Sequence, residues 1–246
     1  MDPQTHSTSG LGLIEVHSHL IPAVDDGSRS VEESIAIGRL LVDRGYGQLV
    51  CTPHVWPDLP DNHKDQIISR VRSLQADLTS AGVPLTLHPG GEISLRPHLA
   101  AVDPDTLPTY ANLGKHFLVD TWIWKWESWL TPVIKHLQQG GRAVILAHPE
   151  RLGMLQADPA LVTKLQDLGV LLQGNLYCFA DDPSEPTRQL ADRYLSENRY
   201  FMLGGDLHRL DTIDSRFAGL EKVLSKFGVE NLRRLLKTNP QSLLTP

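Results

Sequence analysis

The chain has 246 residues, 41% of them hydrophobic, enough to bury one large core rather than two small ones. A formal net charge of -6 and a pI near 6.0 argue against non-specific affinity for nucleic acid or anionic membrane, so any phosphate site must be built locally. Two cysteines, Cys51 and Cys178, make no disulfide framework; residues 1–10 are polar, and no run approaches the ~18 apolar residues of a spanning helix, which together lead us to expect a cytoplasmic protein.

In chain order, residues 1–12 read as a flexible tail and 13–246 as one domain. The first strand, "LIEVHSHL", ends in His17 and His19, which strand alternation turns to the same side. Alone, such a pair fits half-buried strand histidines as well as a metal pincer. "VDDGSRS" is a loop, Ser30 caps a helix with Glu33 three residues on as in a capping box, and Gly45 ends it. "QLVCT" is the second strand, running into Thr52-Pro53-His54. A long amphipathic helix over 61–82 turns Ile67, Ile68, Val71, Leu74 and Leu78 inward. "VPLTLHPGGEI" (83–93) is the third strand and "HFLVD" (116–120) the fourth. Then follow a helix over 131–139, "RAVILAH" (142–148), a helix from Pro159 to Leu168, "VLLQG" (170–174), a helix near 185–197, "YFMLGGD" (200–206), and helical sequence from Phe217 to Leu244 interrupted near Gly228 and Pro240. About seven βα units in succession argue for a parallel barrel rather than an open sheet.

Nearly every strand ends in a metal-ligand type: His17 and His19, then His54, Glu92, Asp120, His148, and lastly Asp206 and His208. A parallel barrel gathers all those ends on one face, so they can form a polynuclear site. Imidazoles and carboxylates without thiolates suit Mn²⁺, Fe or Zn²⁺ and disfavour a closed structural zinc site. A cysteine nucleophile is not supported: a phosphate loop needs an arginine at its far end, but Pro57 stands six residues after Cys51 and Ser184 six after Cys178. His6, His63, His98 and His136 read as surface residues, His116 lies at the wrong end of its strand, and His88 is open, with a structural role favoured.

"HSH" (17–19), "DDG" (25–27), "TPH" (52–54), "GGEI" (90–93), "AHPER" (147–151) and "GDLH" (205–208) resemble the ordered motifs of the PHP superfamily of metal-dependent phosphoesterases. "DDG" and "AHPER" are most similar to the bacterial protein-tyrosine phosphatases of capsular and exopolysaccharide systems, the CpsB/CapC/YwqE-like family. The resemblance covers nearly the whole chain. It implies an α/β fold, a distorted TIM-like (β/α)7 barrel in a single PHP domain, holding three divalent metal ions, Mn²⁺ first among the candidates. By position, one metal would take His17, His19, Glu92 and Asp206; Glu92 would bridge to a second, bound also by Asp120 and His148; the third would take Asp26, His54 and His208, with Asp25 the rival to Asp26. Arg151 would hold the phosphate with a second arginine, Arg216, for which Arg209 is the rival.

The implied activity is hydrolysis of phosphotyrosine on proteins such as autophosphorylated bacterial tyrosine kinases of exopolysaccharide synthesis, a hydroxide on the metal cluster attacking phosphorus. Two alternatives stand beside it: a PHP phosphatase of a small metabolite such as histidinol phosphate, and a non-catalytic metal-binding interaction module. Three departures from the family pattern matter. Asp120 stands where Glu is usual and would need a backbone shift or a bridging water to reach a metal. Gly205 stands where Ser is common, a change expected to be tolerated. Trp122, Trp124, Trp126 and Trp129 crowd one segment, as a packed barrel rim, a surface for a phenyl ring or polymer, or an oligomer contact.

Overall fold

The computed structural model describes residues 12–246. The expected tail therefore falls, but for Gly12, outside the described residues, as does His6. The strands are β1 (Leu13–Ser18), β2 (Tyr46–Cys51), β3 (His54–Val55), β4 (Thr86–Pro89), β5 (Glu92–Ser94), β6 (His116–Asp120), β7 (Ala143–Ala147), β8 (Leu171–Asn175) and β9 (Met202–Gly204). Every ladder is parallel. One sheet runs β1-β2-β4 and the other β3-β5-β6-β7-β8-β9.

Two of the seven expected strands are each broken in two, β2/β3 at Thr52-Pro53 and β4/β5 at Gly90-Gly91, and this distorts the barrel. Pro53 has no N–H to give the ladder. At Gly91 a Cβ would lie 2.5 Å from Pro108 Cγ, and at Gly90 2.9 Å from Val50 Cγ1, so the bend passes where side chains do not fit. The remaining gap closes between the last strand and the first: Ser18 bridges Leu207, Leu207 N donates to His17 O (3.1 Å) and His19 N to Leu207 O (2.7 Å).

Alternation along the strands sorts two buried clusters. Leu118, Ile145, Ala147 and Met202 join Ile14, Val16 and Val50 in a small one that fills the barrel, while Phe117, Val119, Val144, Leu146 and Leu203 face the helices. Those helices include α1 (Val31–Asp43), α2 (Lys64–Ser80), α3 (Leu130–Leu137), α4 (Gly153–Ala157), α5 (Leu161–Asp167), α6 (Pro186–Ser196), α7 (Ile213–Phe217), α8 (Leu220–Arg233) and α9 (Asn239–Leu243). Ser30 caps α1 by accepting from Glu33 N, and the chain turns out at Gly45 with φ +87°. The capping box is not reciprocal, however: Glu33 accepts from Arg29 N and Leu210 N instead of Ser30 N, tying α1 to the loop after β9. In α2, Ile67, Val71, Leu74 and Leu78 are buried, and Ile68 is only half-buried. Gly228 breaks α8 locally, whereas at Pro240 the backbone stays helical: a π-helical stretch over Arg234–Thr238 runs straight into α9, which holds Pro240 in its first turn.

Candidate active site

The carboxyl ends of the barrel strands line one cleft of ≈270 Å³. Between Glu15↔Leu49 and Ser18↔Cys51, two residues of β1, Val16 and His17, oppose one of β2, Val50, a bulge that adds twist where the histidine pair begins. His17 Nδ1 donates to Gln173 Oε1 (2.7 Å) and His19 Nδ1 to Asp25 Oδ2 (2.8 Å). His208 Nδ1 donates to the Asp206 carbonyl (2.9 Å). Each bond fixes the ring through Nδ1 and leaves Nε2 facing the cleft, the arrangement that orients imidazole ligands.

Those nitrogens meet carboxylates. His17 Nε2 lies 3.4 Å from Glu92 Oε2 and 3.5 Å from Asp206 Oδ1, and His19 Nε2 is 3.6 Å from both. His54 and His208 each present Nε2 to Asp26 Oδ1 at 3.4 Å. One group thus forms from His17, His19 and Glu92, and a second from His19, Asp26, His54 and His208. Asp25 is spent on His19 Nδ1, Gly27 N and His54 N, whereas Asp26 faces the second group. Glu92 touches both groups, with His54 Nδ1 at 2.9 Å from Oε2 and His148 Nε2 at 2.9 Å from Oε1.

Asp120 is not drawn into either group. Its Oδ2 accepts from Trp122 Nε1 (3.0 Å), and its Oδ1 is buried without a partner. Burial, and then Glu92, push its carboxyl up to about 6. With Oδ2 held by the indole two residues on, only Oδ1 is left open.

Both arginines expected at the phosphate reach the site. Arg151 Nη1 and Arg216 Nη1 donate to the same atom, Asp206 Oδ2, at 3.2 and 3.1 Å, and Asn175 Nδ2 adds a third bond at 3.0 Å. Arg209 borders the cleft but is exposed. Asp206 and His148 both adopt left-handed backbone, φ +51° and +34°, which turns their side chains inward at the strand ends. Burial would raise Asp206 and Glu92, but the facing His17, with its neighbouring histidines, holds both below the usual carboxylate range. Burial would lower His54, but Asp26 and Glu92 raise it to about 9.

The unpartnered, buried His17 Nε2 and His19 Nε2 and the ring of carboxylates fit divalent cations, which would replace the protons those carboxylates now favour on the histidines. Of the first expected metal's residues, His17, His19 and Glu92 form one group and Asp206 lies beside it; those of the third fall together with His19 in the other; those of the second meet only as the Glu92–His148 contact.

Reading the sequence missed three contributors. Gln173 and Asn175 alternate into the barrel on β8 as polar residues in a buried strand, which is itself a signal. Trp56 stacks on His54, ring centroids 3.9 Å apart. Gly205 proves more than tolerated: its N–H donates to the buried Glu15 Oε1 (2.8 Å), and a Cβ there would lie 2.9 Å from Glu15 Oε2 and 2.4 Å from Leu207 Cδ2. The tryptophan segment divides: Trp126 and Trp129 pack against the core, while Trp122 and Trp124 are 58% and 79% exposed. His88 bonds Gln48, outside the cleft, and His136, expected at the surface, is half-buried with Nε2 donating to Val102 O (2.8 Å).

A family model described as capsular polysaccharide synthesis, CpsB/CapC, matches residues 13–245. The tyrosine-protein phosphatase YwqE of Bacillus subtilis (strain 168) is 25% identical over 236 residues, spanning 94% of this chain and 91% of that protein. The tyrosine-protein phosphatase CpsB of Streptococcus agalactiae is 24% identical over 239 residues, spanning 94% and 98%. A crystal structure from work on YwqE of Bacillus subtilis and CpsB of Streptococcus pneumoniae, described as unique metal-dependent tyrosine phosphatases, shares the fold with a TM-score of 0.83 at 24% identity, covering 94% of each chain. An inactive dihydroorotase-like domain of Chaetomium thermophilum shares the architecture more distantly, with a TM-score of 0.54 at 12% identity over 95% of this chain and 79% of that one.

Proposed function

The chain belongs to the CpsB/CapC family of capsular polysaccharide synthesis, and from that membership we propose that it is a metal-dependent phosphatase acting on phosphotyrosine in proteins. The observation that carries the reading is the pairing of Arg151 and Arg216 on one oxygen, Asp206 Oδ2, beside the two ligand groups that meet at Glu92. A carboxylate oxygen there stands in for a phosphoryl oxygen, and planar guanidinium groups match the geometry of phosphate.

Bound divalent cations would neutralise phosphoryl charge and lower the pKa of water towards ~7. The ligand residues we assign are His17, His19, Asp26, His54, Glu92, His148, Asp206 and His208, with Asp120 contributing only the Oδ1 that Trp122 leaves open. We assign three cations, Mn²⁺ first, with Fe or Zn²⁺ compatible with the same nitrogen and oxygen donors. Asp25, Gln173 and the Asp206 carbonyl hold His19, His17 and His208 in ligand orientation. Arg151 and Arg216 bind and orient the phosphoryl group for in-line displacement. A tyrosyl leaving group, with a phenol pKa near ~10, needs less protonation than an alkoxide, so the site has less need of a strong general acid. Neither cysteine serves as a nucleophile: both are buried, and burial pushes both thiols up.

The substrate class we propose is the autophosphorylated tyrosine kinase of an exopolysaccharide system, met in the cytoplasm. Two buried, unpaired cysteines suit a reducing compartment, and no helix of the described residues is long and apolar enough to cross a membrane. The test is phosphate release from a phosphotyrosyl peptide by chelator-stripped protein before and after Mn²⁺, with histidinol phosphate as comparison. Metal-restored turnover that prefers the peptide is expected, and His148→Ala or Asp206→Ala should abolish it. Preference for histidinol phosphate would replace the reading with a metabolite phosphatase. Absence of turnover despite bound metal would replace it with a binding module.

A further inference from the structure

The cleft is built from charge. Among the residues that line it, only Trp56 and Trp122 offer apolar surface. Trp56 lies flat on His54. Trp122 stands beside His148: its ring is 6.2 Å from that imidazole, and the Arg151 guanidinium carbon lies 5.2 Å from its centroid.

Trp122 is also fixed. Its Nε1–H is held by Asp120 Oδ2 at 3.0 Å, and Arg151, which covers part of the ring, is itself anchored on Asp206. Yet the residue remains 58% exposed. A large apolar surface kept open to water, pre-oriented, and touching the arginine assigned to phosphate is poor core packing and a good aromatic platform.

We propose that Trp122 is the specificity-determining residue for aryl phosphates: the phenyl ring of the substrate packs on its indole, offset or edge to face, while the phosphoryl group reaches Arg151 and Arg216. The proposal rests on the tyrosine phosphatase reading and deepens it. It also gives the departure at position 120 a role, because Asp120 is a positioning residue that orients the indole. Trp56, stacked on His54, lines the same cleft.

The test uses leaving-group-free ligands on the full-length, Mn²⁺-loaded protein. Calorimetry compares benzylphosphonate with propylphosphonate on wild type, Trp122→Ala and Trp122→Phe. Wild type is expected to favour benzylphosphonate about tenfold, the size of one aromatic contact. Trp122→Ala should reduce that preference to about twofold or less, whereas Trp122→Phe, which keeps a ring but loses the Asp120 bond, should retain most of it. If the ring only buttresses Asp120, both variants will weaken both ligands alike and the preference will survive, overturning the proposal. Equal binding of the two ligands by wild type, or binding of neither, overturns it as well. Because binding is read without turnover, a wild type that favours benzylphosphonate but fails to hydrolyse the phosphotyrosyl peptide would sink the catalytic reading and leave the aromatic platform standing.

Discussion

Glu92 is the residue on which the cluster turns. Its two oxygens contact His17, His19, His54 and His148, so it faces both ligand groups, whereas Asp26 faces only the second. Glu92→Gln keeps the shape and removes the charge. We expect it to lose about two bound cations per chain by elemental analysis and to lower turnover by ~10²-fold or more, while Asp26→Asn should lose about one. Equal loss from the two variants would contradict a shared carboxylate. Buried charges that are left unmatched explain the expected severity, since removing one partner strands the others.

At the scale of elements, Glu33 joins the start of α1 to the loop that follows β9. Arg29 Nε and Nη2 donate to its two carboxylate oxygens at 2.9 Å each, and Leu210 N donates at 3.1 Å. The Arg29 pair, outweighing the cost of burial, lowers its carboxyl to about 2. Because the folded value is depressed, the contribution to stability is full above the unfolded pKa of about 4.5 and fades as pH falls towards about 2. Glu33→Gln should therefore lower the melting temperature by about 2–4 °C at pH 7, corresponding to ~1 kcal/mol, and the deficit should shrink with acidification below pH 4.5. A deficit constant with pH would point to packing rather than charge.

The alternation of strands and helices was legible because each barrel strand is a short apolar run, and β6, His116–Asp120, matches its expected span. The break at Gly90-Gly91 was not, because it depends on Val50, Val55 and Pro108 approaching from elsewhere in the chain. The short helices α4 and α7 escaped because five residues carry no period. Ligand types at strand ends announced the cleft, but tertiary contact alone reveals that Asp25 serves His19 while Asp26 faces His54, and that Asp120 holds an indole.

For the whole molecule, candidate ligands come from both the first strand and the segment after the last, so cation binding and barrel closure are one equilibrium. Mn²⁺ at about a hundredfold excess over its dissociation constant should stabilise the fold by ~2.7 kcal/mol, raising the melting temperature by about 5–10 °C, with much of the rise lost in His17→Ala. An unchanged melting temperature would separate closure from the cluster. The seam where Leu207 bonds His17 and His19 also sets a schedule for the cell. His17 and His19 are made first, and Asp206 and His208 are added roughly ten seconds or more later at ordinary rates of synthesis. A growing or truncated chain that stops before β9 therefore carries only part of the candidate cluster and an open seam, and the site is completed only when the segment after β9 has been made.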